Sequence, residues 1–149
     1  LEQRAVNRFS GDYPRTLDDK NRVTVPSCWR SSEVPSLYAI QRKGDDGNYL
    51  VLMPKDEFDR LGDDSVKNLS AKEAQRFRRM FFAMAKECPI DKSGRVLLPQ
   101  GMVGVLGDDR DVVLLGVGAR IEVWNAANWT KLVEDESASF DAMADSLGI

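Results

Sequence analysis

The chain has 149 residues, 42% hydrophobic and 30% charged, with a net charge of −3, two cysteines and no histidine. That length suffices for one domain with its own core, because chains of this size bury roughly 70% of the surface they expose when unfolded. The cysteine and histidine counts argue against a disulfide framework, a four-ligand zinc site and any histidine-based nucleophile system, and no apolar run approaches the ~18 residues of a membrane span.

In chain order, Leu1–Arg8 is read as an N-terminal extension without the apolar stretch of a signal peptide, so a soluble, cytoplasmic protein is expected. Arg15 stands just before LDDKNRVTVP, Leu17 to Pro26. There a turn over Lys20-Asn21 leads into a short strand, Val23 to Pro26, ended by a proline that cannot donate to a ladder. Period-2 patterning predicts strands over Leu37–Arg42 and Tyr49–Met53, joined at GDDGN, Gly44 to Asn48. Pro54 then suits the first turn of a helix carrying Phe58 and Leu61.

A stronger helix is expected from Ala71 to about Ala85. Ser70 and Glu73 have capping-box spacing, and Ala74, Phe77, Phe81 and Met84 form an apolar stripe. After it come IDKSGRVLLP, Ile90 to Pro99, strands at Val112–Val117 and Arg120–Trp124 around GVGA, and a helix N-capped by Asn125 that carries Trp129, Leu132 and Val133. From Glu134 to Ile149 the chain is acidic and weakly patterned, and is read as a mobile tail.

The second decapeptide repeats the first at an offset of 73 residues: apolar, Asp, x, x, x, Arg, Val, x, apolar, Pro. Downstream, NYLVLMPKDEF, Asn48 to Phe58, lies over ARIEVWNAANW, Ala119 to Trp129, at an offset of 71, so one loop is shorter by two residues. The organisation expected is one fused globular unit, with a first repeat over 9–69, an inter-repeat helix and second repeat over 70–133, and a tail over 134–149. Charge is uneven within it. Residues 1–30 and 66–95 sum to +2 and +5, whereas 31–65 and 101–149 sum to −4 and −6, so a fold joining the two positive segments would have a basic face.

Arg22 and Arg95 follow turns at Asn21 and Gly94, residue types that tolerate positive φ. An arginine projected from such a turn can donate a bidentate pair to guanine in the major groove, and Lys20 and Lys92 suit phosphate contacts. The plainer reading makes Asp18 with Arg22, and Asp91 with Arg95, ion pairs that stabilise two turns. Arg76, Arg78, Arg79 and Lys86 form either a phosphate-binding strip or a solvated helix face, and Phe77, Phe81 and Phe82 read as packing. The acidic pairs Asp18/Asp19 and Asp45/Asp46 leave a carboxylate-dependent enzyme as a minor alternative, and an oligomeric interaction scaffold as another. Neither a cofactor, a metal nor a small-molecule substrate is expected.

The segments FSGDYPRTLDDKNRVTVPSCWR, QRFRRMFFAMAKECPIDKSGRVLLP and VLLGVGARIEVWNAANW, in this order, closely resemble the MraZ family of bacterial transcription factors, over Phe9 to about Val133. The resemblance implies an α+β fold of the swapped-hairpin AbrB-like kind, a duplicated pseudo-two-fold β-barrel with peripheral helices. It also implies ring-shaped homo-oligomers at the nucleoid that bind short direct repeats of double-stranded promoter DNA before the division and cell-wall gene cluster, usually as a repressor. The family's DNA-contacting loop falls on Asp18, Lys20 and Arg22, with Arg15 beside it, and on Asp91, Lys92 and Arg95 in the second repeat. Asn21 departs from the family's usual glycine and is itself a candidate to add or obstruct a base contact. With Arg15 close to the first loop, Arg22 ranks above Arg95 as base reader.

Overall fold

The computed structural model describes residues 9–31 and 34–149; Leu1–Arg8, read above as an extension, lie outside the described residues. Among the described residues, eight strands are arranged with four α-helices. They are β1 Asp12–Thr16, β2 Arg22–Thr24, β3 Ser36–Gly44, β4 Gly47–Met53, β5 Lys86–Pro89, β6 Arg95–Leu97, β7 Asp111–Gly116 and β8 Ile121–Asn125. The helices are α1 Lys55–Asp63, α2 Ala71–Met84, α3 Gln100–Val103 and α4 Ala126–Leu147, with 3₁₀ turns at Ser27–Trp29 and Gly104–Leu106.

Six strands form one antiparallel sheet in the order β1-β7-β8-β4-β3-β5, and β2 pairs with β6 in a separate two-stranded ribbon. That order reads as a palindrome once the repeats are superimposed. β1 of the first copy pairs with β7 of the second, β5 of the second pairs with β3 of the first, and the equivalent strands β4 and β8 meet at the centre. Each copy therefore completes the other's sheet. The sheet does not close into a barrel, because β1 and β5 remain its two edges and the ribbon lies across one face instead.

Strand alternation sends side chains to two cores. Leu37, Ala39, Leu50, Leu52, Val112, Leu114, Ile121 and Val123 face the ribbon and pack with Val23, Val25, Val96 and Leu98. On the other face Val113, Leu115 and Trp124 pack with Trp129 and Leu132 of α4. Tyr38 stacks on Phe58 of α1 at 4.4 Å, and Phe58 meets Phe81 of α2 at 4.9 Å. The resulting layers are helices, sheet and ribbon. The packing role expected of Phe81 is what the structure shows.

Expected strands and helices recur with ends shifted by one to three residues. The capping box of Ser70 and Glu73 and the Asn125 cap, whose side chain accepts from the Asn128 N–H at 3.1 Å, are both present. Three differences have physical causes. The edge strands β1 and β5 carry Pro14 and Pro89 and little apolar alternation, so pairing with the other repeat, rather than local preference, makes them strands. Met84 leaves the half-buried stripe of α2, being 53% exposed. Phe82 instead turns onto Gly62 of α1, where a Cβ would lie 2.2 Å from its ring. The segment from Glu134, read as a weakly patterned, mobile tail, is helical as far as Leu147, where it completes the 22-residue α4, ended by Gly148 in the left-handed conformation.

The two copies are also cross-braced. Glu57 of α1, buried, accepts from Arg60 Nε at 2.7 Å and Nη2 at 3.0 Å, and from Arg120 Nε of the second repeat at 2.9 Å. Its equivalent, Asn128 of α4, packs on the β3–β4 turn of the first repeat, where a Cβ on Gly47 would lie 2.4 Å from Asn128 Nδ2. Each helix thus sits on the other copy's hairpin turn.

Candidate nucleic-acid interface

The Asp-x-x-x-Arg spacing is that of a carboxylate closing a tight loop onto its own backbone. Asp18 Oδ1 accepts from the backbone N–H of Lys20 at 3.0 Å and of Arg22 at 2.8 Å, while Oδ2 accepts from Arg22 Nε at 2.7 Å. The second loop repeats this: Asp91 Oδ1 accepts from the N–H of Ser93 and Arg95, both at 2.9 Å, and Oδ2 from Arg95 Nε at 2.8 Å. Each loop is closed by a backbone bond from residue 21 or 94 to the aspartate carbonyl, at 3.1 and 3.0 Å. Asn21 has φ of 62° and Gly94 of 79°, so both turns use the left-handed conformation expected of them. Those N–H donors, first the arginine's own backbone, hold both aspartate carboxyls below their ordinary pKa.

These bonds engage each guanidinium at Nε, one of its three nitrogens. The aspartate therefore acts as an orienter of the arginine. It also reduces the net charge of each loop, so the ion-pair reading and the recognition reading describe one geometry.

The ribbon sets the relation between the two arginines. Arg22 lies opposite Leu97, Val23 opposite Val96, and Thr24 opposite Arg95. Opposed residues share a face, so Arg22, Thr24, Arg95 and Leu97 line one side while Val23 and Val96, both 0% exposed, line the other. Both arginines consequently stand on the same half-exposed face, diagonal to each other, with typical diagonal Cβ separations of about 7–8 Å.

Of the other expected site residues, Arg15 on β1 joins this region: its Nε donates to the Thr24 carbonyl at 3.0 Å and its guanidinium lies 5.6 Å from the Tyr13 ring centroid. Lys20 and Lys92 are exposed on the loop tips. The α2 cations do not belong to the ribbon. Arg78 donates from Nε to the Gly62 carbonyl at 3.1 Å and so serves the α1–α2 contact.

Two arginines not singled out in the sequence belong to the site. Arg110, before β7, donates from Nη2 to Asn21 Oδ1 at 3.0 Å and to the Asp18 carbonyl. Arg30 donates from Nε to the Val25 carbonyl at 3.0 Å and lies on Gly94, where a Cβ would come within 2.2 Å of it. The only available signal was charge. Arg110 sits among aspartates in GDDRD, and Arg30 closes the SCWR segment. The first loop is thereby clamped through its asparagine, and the second is covered at its glycine.

Two interlocked copies that each present an aspartate-held arginine on a shared ribbon are the swapped-hairpin, AbrB-like arrangement of an α+β fold. The family model described as "MraZ protein, putative antitoxin-like" matches residues 81–147, which includes most of the segment placed outside the family by the sequence alone. A protein named Transcriptional regulator MraZ from Heliobacterium modesticaldum is 36% identical over 141 residues, covering 93% of this chain and 96% of that protein. Another of that name from Caldicellulosiruptor bescii is 38% identical over 138 residues, covering 92% and 94%. The chain belongs to the MraZ family of transcriptional regulators. No helix among the described residues is long and apolar enough to cross a membrane.

Proposed function

We propose that this chain is a sequence-specific regulator that binds short direct repeats of double-stranded promoter DNA, acting in the cytoplasm at the nucleoid as a repressor of the division and cell-wall gene cluster. In this reading it works as a ring-shaped homo-oligomer and has no catalytic role. The observation that carries it is the placement of Arg22 and Arg95, oriented alike by Asp18 and Asp91, on one face of the β2–β6 ribbon. A major groove about 12 Å wide admits a two-stranded ribbon, and two arginines roughly 7–8 Å apart fit within it.

Arg22 and Arg95 read guanine edges through their Nη nitrogens, with Arg22 the principal reader. Lys20, Lys92 and Arg15 contact phosphates, and Asn21 shapes the first loop. One such ribbon neutralises few phosphates and binds weakly. Several on one assembly raise avidity by ~10²–10⁴-fold, which makes the spacing of DNA repeats matter as much as their sequence.

The test is a titration of the DNA upstream of the chain's own gene against random duplex at about 0.1–0.2 M salt. Arg22→Ala is expected to abolish the preference for the promoter, and Arg95→Ala to reduce it. Lys20→Ala is expected to weaken both duplexes alike and to lower the salt slope by about 1. Equal affinity of the wild-type protein for the two duplexes would instead support an interaction scaffold.

A further inference from the structure

The ribbon turns one leucine outward. Val96 and Leu98 are 0% and 1% exposed, whereas Leu97 between them is 44% exposed, on the face that carries Arg22 and Arg95. Antiparallel strands with one solvated face alternate apolar inward and polar outward, and Leu97 breaks that rule. Among the described residues the other large exposed hydrophobics lie on helices, in loops or at the chain end, so Leu97 is the one carried by a strand. A single exposed leucine is ordinary on a protein surface. Its neighbours make this one informative.

Backbone hydrogen bonds fix those neighbours. The Leu98 N–H donates to the Asn21 carbonyl at 3.0 Å and the Val25 N–H to the Gly94 carbonyl at 2.8 Å, so the facing pairs Arg22 with Leu97 and Thr24 with Arg95 are both of the non-hydrogen-bonded kind. Side chains approach most closely in such pairs, with Cβ atoms about 4.5–5.5 Å apart. Thr24 and Leu97 also hold the same position in the two repeats, at the offset of 73 residues. The face is therefore a two-by-two grid, with the arginines on one diagonal and two methyl-bearing side chains on the other. Successive base pairs of a duplex are about 3.4 Å apart, so a side chain beside a guanine-bound arginine meets the adjacent base pair. The apolar feature that a base pair offers in the major groove is the C5 methyl of thymine.

We infer that Leu97 selects a thymine next to the guanine held by Arg22, by contact with its C5 methyl, and that Thr24 makes the smaller equivalent contact beside Arg95. The inference rests on the base readout proposed for the ribbon. It adds a reader that uses neither charge nor a hydrogen bond. The larger, wholly apolar Leu97 makes the selection of thymine stronger at the Arg22 end than at the Arg95 end, where Thr24 also carries a hydroxyl.

The experiment titrates full-length protein against the DNA upstream of its own gene and against the same duplex with deoxyuridine in place of every thymidine, which removes the methyls and keeps the base pairing. A random duplex made in both forms corrects for changed DNA flexibility, and far-UV circular dichroism verifies that each variant is folded. Relative to the random duplex, wild-type protein is expected to bind the deoxyuridine promoter at least about 4-fold more weakly, the effect of one buried methyl. Leu97→Ser is expected to lose a similar factor on the thymidine promoter and to keep little of the deoxyuridine penalty. Its salt slope should stay at the wild-type value, because no phosphate contact is removed. Adding Thr24→Ser should abolish the remaining penalty. A wild-type protein that binds both promoter forms alike overturns the inference alone, and so does a Leu97→Ser variant that keeps the full penalty. A wild-type protein with no preference for promoter over random duplex overturns base readout and this inference together.

Discussion

Arg110 donates to the side-chain oxygen of Asn21 at 3.0 Å, although the two lie 89 residues apart. Asn21 is the one described non-glycine residue with positive φ, and its side chain, together with the Asp18 carbonyl, is what Arg110 of the second repeat grips in the first repeat's Asp-x-x-x-Arg loop. Gly94, its equivalent, has no side chain to grip and is covered by Arg30 instead. The pseudo-symmetric loops are therefore alike in their Asp–Arg geometry and different in what restrains them.

Substitution at the two turn residues should expose that difference. Asn21→Gly removes a left-handed side chain but also an acceptor, two effects of opposite sign, and is expected to leave stability within about 0.5 kcal/mol. Asn21→Ala keeps the backbone cost and loses the bond to Arg110, for about 1–2 kcal/mol. Gly94→Ala meets the same backbone cost and must also displace the Arg30 guanidinium, so it is expected to cost about 2 kcal/mol or more. Urea unfolding midpoints of the three variants at constant m-value give the order.

The loop chemistry was legible in the sequence for a local reason. An aspartate whose Oδ1 receives the N–H two and four residues ahead needs only the Asp-x-x-x-Arg spacing and a residue tolerant of positive φ, and both copies show them. The register of β2 with β6, which puts both arginines on one face, is not local. Neither is the approach of Arg110 to Asp18 across 92 residues, nor the use of β1 and β5 as each other's missing strands. The helical nature of the chain beyond Glu134 was hidden by Glu136 inside the apolar stripe and by alanines and serines that dilute it, so Phe140, Met143 and Leu147 read as isolated residues.

The two depressed carboxyls give a signed pH dependence. Asp18 and Asp91 have folded pKa values below the unfolded reference of about 3.9, so their contribution is complete above that reference and is lost as pH falls through the folded values. Stability should decline with acid below about pH 4. Glu57 and Glu73 act in the same direction. Asp18→Asn together with Asp91→Asn should flatten the decline, since asparagine keeps an acceptor for the backbone N–H groups but does not titrate. Thermal unfolding from pH 6 to pH 2 compares the two proteins.

Glu57 offers a test of the brace between repeats. The carboxylate is 7% exposed and receives three N–H donors from two arginines. Glu57→Gln keeps the shape and removes the charge, and its amide nitrogen must face a guanidinium. The expected cost is about 1–3 kcal/mol, kept at the low end because Arg60 and Arg120 are themselves about half exposed. Arg120→Ala in the Glu57→Gln background should add less than it costs alone, and a double-mutant cycle by urea unfolding measures that coupling.

Replacing Arg22 and Arg95, the proposed base readers, by lysine separates recognition from charge. Arg22→Lys and Arg95→Lys preserve a cation on the ribbon but lose the planar fork and the Nε bond that Asp18 or Asp91 uses to orient it. Affinity for random duplex and the salt slope should stay near wild type, because counterion release follows the number of charges. Promoter preference should fall by about 5- to 150-fold for Arg22→Lys, the range that 1–3 kcal/mol of bidentate discrimination implies. The loss for Arg95→Lys should be smaller: the clamp of Arg110 on Asn21 restrains the first loop through a side chain, whereas the second must be held at a bare glycine. Equal losses would show that the clamp has no bearing on which loop reads the base. A parallel fall in random-duplex affinity would assign both arginines to phosphate contacts, as Lys20 is expected to be.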